Sequence, residues 1–130
     1  MGKNYYDGDE CELADALVDM GRGPFRWIGD IKDANARAGN HYFEASTMRF
    51  FDSRVAEVVE YGRVFITSER FDYNSARLYT IRIANDDGTI WVDYPALGVL
   101  TFQRYESLSV ARRVARNAAE LAAKRQAVTA

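Results

Sequence analysis

The sequence has one cysteine, Cys11, and one histidine, His41, in 130 residues. That pair cannot supply the nitrogen and sulfur ligands of a structural zinc within one chain, and a lone thiol forms no internal disulfide. Cys11 lies between Glu10 and Glu12, whose charges disfavour the reactive thiolate. With a single imidazole and no Gly-x-Ser-x-Gly elbow, there is little on which to build a nucleophile and its base. A phosphate loop is missing too, since Gly21-Arg22-Gly23-Pro24 has neither a preceding strand nor a Lys-Ser/Thr ending. Asp30 with Asp33, and Asp86 with Asp87, stand where helix-end and turn aspartates ordinarily stand, so no hard-cation site is read from them. The sequence therefore predicts no catalytic residue, no metal and no cofactor. Hydrophobic runs are short as well, and none nears the roughly 18 apolar residues of a membrane span. Residues 1–20 are acidic where a secretory leader is basic and then apolar. The expectation is a cytoplasmic protein.

What is present fits one compact domain: 48% hydrophobic and 13% aromatic residues in 130. Its formal charge of −2 conceals a gradient. Residues 1–20 set Lys3 against Asp7, Asp9, Glu10, Glu12, Asp15 and Asp19, a net of −5, while residues 107–130 set Arg112, Arg113, Arg116, Lys124 and Arg125 against Glu120, a net of +4. Oppositely charged ends suit two solvated helix faces that attract each other or a neighbouring subunit. Direct nucleic-acid binding is not expected from a chain that is acidic overall. The 14 Arg against 3 Lys favour planar forks over point charges, although a GC-rich coding sequence produces the same bias.

Hydrophobic spacing predicts an α+β fold, an antiparallel sheet of four to five strands covered by N-terminal helices and a long C-terminal helix. Residues 1–8 read as a loose start and 9–40 as helical. A first helix covers about 9–20, with Leu13, Ala14, Leu17 and Val18 on one face, and a second ends at Gly39-Asn40. Residues 41–106 are mainly β. Tyr42-Phe43-Glu44 reads as extended, and Ser46 as the cap of a helical turn or two. Strands follow at Val55–Glu60, Arg63–Ser68, Arg77–Ile83, Thr89–Tyr94 and Gly98–Gln103. In the third, Tyr79, Ile81 and Ile83 share one face and Leu78, Thr80 and Arg82 the other. Asn85-Asp86-Asp87-Gly88 is a hairpin signal. Ser107 caps the last helix, 107–127, whose buried stripe is Leu108, Ala111, Ala115, Ala118 and Ala122. No cofactor is needed to stabilise such a domain at this length.

The stronger functional signal is aromatic. Two Trp, eight Tyr and seven Phe supply 17 rings, with adjacent pairs at Tyr5-Tyr6, Tyr42-Phe43 and Phe50-Phe51. Adjacent rings on a strand point to opposite faces, so at least one of Tyr42 and Phe43 is expected to face away from the main core. Rings mixed with Arg49, Arg63, Arg70, Tyr73, Arg77 and Arg82 have the composition of a protein-binding surface. The same mixture would suit a nucleotide clamp, built on Arg63, Arg70, Arg77 or Arg82.

The ordered blocks His41-Tyr42-Phe43, Thr47 to Val55, Gly62 to Arg70 and Arg77 to Arg82 resemble an uncharacterised family of small proteins encoded in bacteriophage and prophage genomes, over roughly residues 41–122. The resemblance implies a small accessory protein without catalysis that binds a host protein or defence complex, as an anti-CRISPR-like inhibitor does. On that reading the acidic residues Asp9, Glu12, Asp15 and Asp19 face a basic surface of the host effector. Sequestration of a phosphorylated or nucleotide signal is the second candidate. A structural or assembly role, marked by a homo-oligomer, is the third.

Overall fold

A computed structural model describes residues 13–15, 17–18, 28–49, 52–59, 63–70, 72–85, 87–91 and 105–129. In chain order the elements are α1 (Ile28–Arg37), α2 (Ala45–Arg49), β1 (Arg54–Val59), β2 (Val64–Glu69), β3 (Leu78–Ala84), β4 (Ile90–Trp91) and α3 (Leu108–Thr129). Ahead of them, Leu13, Ala14, Asp15, Leu17 and Val18 are helical, within the span expected for the first helix.

The fold is α+β, an antiparallel sheet with a long C-terminal helix. Three full strands carry the sheet, in the order β1-β2-β3-β4, and β4 is a two-residue edge piece pairing Ile83 with Trp91 and Ala84 with Ile90. The expected four to five full strands are therefore not confirmed; half of the fourth and all of the fifth lie outside the described residues, as do the loose start and the Gly21–Pro24 turn. Tyr105 does pair with Tyr79, through hydrogen bonds of 2.8 and 2.7 Å between their backbones.

Strand parity sorts the sheet into two faces. Val64, Ile66, Ile81 and Ile83 pack against Ala111, Val114, Ala115, Ala118, Ala119 and Ala122 of α3 and against Leu13, Ala14 and Leu17. The alanines leave little side chain between helix axis and sheet, so β-branched residues of the strands fill the layer. Ser107 caps α3: its carbonyl accepts from Ala111 N at 3.1 Å and its hydroxyl from Val110 N at 3.4 Å. On the opposite face Phe65 and Ala84 pack under Ile31 and Ala34 of α1, with Tyr42, Phe43, Val55, Val58 and Ile90 around them.

β1 serves both layers through a bulge. Val55 lies opposite Thr67 and Glu57 opposite Ile66, so Ala56 has no partner and parity inverts there. Val55 then faces the α1 side. Glu57, only two residues on, faces α3, where its carboxylate accepts from Arg112 Nε at 2.6 Å and Arg116 Nη2 at 3.0 Å.

Two local expectations are corrected. Tyr42-Phe43-Glu44 is a turn, closed by Glu44 N donating to His41 O at 3.3 Å, and not an extended piece. The turn lets both rings pack on one side, with centroids 4.8 Å apart edge-to-face and each against Phe65, where a strand would have separated them. Ser46 is not the cap of α2, because the helix opens one residue earlier at Ala45 with Met48 N donating to Glu44 O at 2.9 Å. By contrast α1 ends as expected: Gly39 takes φ 79° and Asn40 N donates to Asn35 O at 2.9 Å.

The 85–88 turn also forms, with Gly88 N donating to Asn85 O at 3.0 Å and Asn85 N to Thr89 O at 2.8 Å. It is clamped onto α1. The buried Asn35 side chain donates to Gly88 O at 2.6 Å and accepts from Tyr42 N at 3.2 Å, tying helix, hairpin and aromatic turn together.

Candidate functional site

Beyond Phe65, the α1 side of the sheet turns polar. Alternation brings Thr67 and Glu69 of β2 to the same face as Thr80 and Arg82 of β3, with Thr67 directly opposite Thr80. All four are buried. The Glu69 carboxylate accepts from Arg82 Nη2 at 2.7 Å, Thr80 Oγ1 at 2.9 Å and the Thr67 hydroxyl, and Thr67 Oγ1 in turn accepts from Arg82 Nε at 2.7 Å. Ser53 Oγ approaches the same carboxylate at 3.4 Å. The Tyr42 ring lies over the Arg82 guanidinium, 5.2 Å from carbon to centroid. Its hydroxyl is buried near Thr67 and Ser53 but makes no hydrogen bond, and burial pushes the phenol up to about 12 against the opposing pull of Arg82. Apart from that hydroxyl, the donors and acceptors of Thr67, Glu69, Thr80 and Arg82 are spent on one another. The network holds the sheet face and offers a ligand little.

A second cluster lies where the chain enters β1. After α2, Asp52 takes a left-handed φ of 49°, with Asp52 N donating to Arg49 O at 3.1 Å and Ser53 N to Met48 O at 2.6 Å. Asp tolerates that conformation at a helix C-terminus. Three guanidiniums gather on the carboxylate: Arg77 Nη2 at 2.5 Å, Arg70 Nε at 2.8 Å and Arg54 Nε at 3.4 Å. Desolvation works to raise the Asp52 pKa, but Arg77, Arg54 and Arg70 outweigh it and hold the carboxyl below the usual carboxylate range. Arg77 also donates from Nη1 to Asp52 O and Ser68 O, both at 3.1 Å, and to Ser68 Oγ at 2.7 Å.

Arg70 then supports an aromatic residue. Its guanidinium stacks on Tyr73 at 5.0 Å. Tyr73 rides on a turn fixed by Asp72, whose side chain accepts from Asn74 N at 2.9 Å and Ser75 Oγ at 3.1 Å while its carbonyl accepts from Ser75 N at 3.1 Å. The ring is 87% exposed, the one large hydrophobic side chain so placed among the described residues.

Set against the expected site, the structure brings Arg70, Tyr73 and Arg77 together and separates the rest. Arg49 is exposed at the end of α2, three residues before Asp52. Arg63 is buried at the other end of β2, roughly 20 Å away by strand rise, donating to Ala84 O at 2.9 Å. Arg82 is buried under Tyr42. Those two are withdrawn from the expected surface, because parity and strand pairing give them backbone and carboxylate partners inside. Asp9, Glu12 and Asp19 lie outside the described residues, while Asp15 pairs with Arg125 of α3, joining the acidic and basic ends of the chain. The reading of the sequence missed Asp52 as the hub and Glu57 as the anchor of α3. An Asp just after a helical turn and followed by alternating strand residues is a legible sign of an αL stop; its three arginines are not.

Among the described residues no group of three His, Cys, Asp or Glu is placed to hold a metal ion, and no helix is long and apolar enough to cross a membrane. Asp87 instead accepts from Thr89 N at 2.9 Å and Thr89 Oγ1 at 2.6 Å within its turn, which holds its carboxyl below the usual range. Residues 27–116 match a family of unknown function, DUF7447, and the chain belongs to that family. Neither the curated proteins nor the solved structures contain a match.

Proposed function

We propose that this member of the DUF7447 family is a non-catalytic binding protein whose partner is another protein, met by the surface that Asp52 organises. The observation that carries the reading is Tyr73, 87% exposed yet fixed by a side-chain-capped turn and stacked on an arginine that is itself ion-paired. Tyr and Arg are the residues that dominate binding energy at protein interfaces, and one held in place beforehand loses little entropy on docking. The closed hydrogen bonding of Glu69, Arg82, Thr67 and Thr80 supports a scaffold role for the neighbouring polar face. On the sequence resemblance, the setting is a bacteriophage or prophage, and the partner is a component of a bacterial defence system that the protein inhibits in the host cytoplasm.

Affinity capture from a bacterial host, with the wild type and Tyr73→Ala side by side and mass spectrometry as readout, tests this. A host protein retained by the wild type and lost from the variant is the expected result. Identical capture by both removes Tyr73 from the interface. A nucleotide released on heating the purified protein would favour sequestration of a signal, and a stable homo-oligomer in light scattering an assembly role.

A further inference from the structure

Resting on that reading of the surface, we infer that the segment it takes is an acidic peptide stretch of the partner, with carboxylates received by Arg54 and Arg70 beside the Tyr73 ring. Arg54, Arg70 and Arg77 converge on the single carboxylate of Asp52, which leaves the cluster cationic. Arg77 is spent on Asp52 and Ser68. Arg70 uses Nε on Asp52, so the two terminal nitrogens of its fork are available to a further acceptor. Arg54 touches Asp52 only at 3.4 Å and its side chain is 66% exposed.

Asp52 shows the kind of group that fits: a carboxylate that accepts from two of these guanidiniums at 2.5 and 2.8 Å. Order at the site comes from neighbouring backbone, the αL stop after α2 on one side and the Asp72 turn on the other. An incoming carboxylate thus meets arginines already oriented, and Tyr73 offers the peptide backbone and aliphatic stems an apolar wall. A nucleic-acid strand fits less well. Unspecific single-strand binding uses successive rings along a basic groove, whereas one ring is displayed among the described residues and the chain carries −2 overall.

The test is fluorescence anisotropy on the full chain with a labelled peptide of alternating glutamate and glycine, run beside a glutamine-glycine peptide and an oligothymidylate of equal length. Saturable binding of the glutamate peptide alone is expected, weakening with salt and falling about tenfold in Arg54→Glu and in Tyr73→Ala. Arg113→Glu, on the exposed face of α3, should bind as the wild type does. Thermal melts confirm that the variants fold. The inference is overturned by equal binding of the glutamine peptide, by preference for the oligonucleotide, by no binding, or by an equal loss in Arg113→Glu. Tyr73-dependent capture of a host protein without glutamate-peptide binding would remove this inference and leave the protein-binding reading standing.

Discussion

Removing Glu69 and Arg82 one at a time should be far worse than removing them together. Both side chains are nearly buried, 11% and 10% exposed, and each is the other's counter-charge. Glu69→Leu strands a guanidinium that cannot neutralise itself, and it also takes the acceptor from the Thr67 and Thr80 hydroxyls. A broken buried pair costs about 3–5 kcal/mol. Arg82→Met strands the carboxylate at similar cost and also loses the stack under Tyr42, worth about 1 kcal/mol. In the double variant both charges leave and the volume is roughly kept. The remaining penalty is the lost stack under Tyr42, about 1 kcal/mol, and two hydroxyls without their acceptor, about 2 kcal/mol if they find one another across the β2–β3 pair. A double-mutant cycle by urea unfolding, followed by far-ultraviolet circular dichroism, should give a coupling of at least about 2 kcal/mol. Additive single effects would refute the reasoning, and so would a double variant less stable than either single one.

Three other outcomes follow from the same geometry. Gly88→Ala would place a Cβ 2.4 Å from Ala34 O and 2.9 Å from Asn35 N at φ 89°, so the hairpin must lift off α1 and lose the Asn35 bond. A cost of about 3 kcal/mol and a drop of about 10 °C in Tm are expected, and a change under about 3 °C would contradict the clamp. Tyr42, at about 12, is folded in its neutral form; its contribution is complete below the usual pKa of 10 and is lost as pH rises through 12, roughly 2–3 kcal/mol. Absorbance titration at alkaline pH should lose a phenol titrating near 12 in Tyr42→Phe, a variant expected to keep or slightly gain stability because the hydroxyl it removes is buried without a partner. Asp52, held low, contributes stability that is present above its unfolded pKa and lost as pH falls through the folded one. Asp52→Asn should therefore flatten the acid side of a Tm profile, and an unchanged acid slope would show that the hub does not titrate as described.

How far the sequence was legible depended on the range of the interaction. The β3 alternation, the alanine stripe of α3 with its Ser107 cap, the Gly39 stop and the 85–88 hairpin are all written within one element or one turn, and each forms. Tyr42-Phe43 went wrong because both rings answer to Phe65, 23 and 22 residues away in sequence, which a local period cannot show. Arginines caused the same difficulty. Arg70, Arg77 and Arg82 look alike on a strand-rich segment, and only pairing decides that Arg82 meets Glu69 inside while Arg70 carries Tyr73 outside. The Asp15–Arg125 contact is the one place where the charge gradient between the chain's ends meets a structural counterpart among the described residues.

The unpaired Ala56 in β1 gives this short edge strand an unusual kind of constraint. Its side chain is exposed, so most replacements there should pass unnoticed. Deleting it would exchange the sides served by everything upstream or downstream, sending either Val55 toward α3 or the Glu57 carboxylate under Phe65 and α1. What the fold reads at this position is the number of residues and not their kind, so the same site is permissive to substitution and intolerant of a change in length.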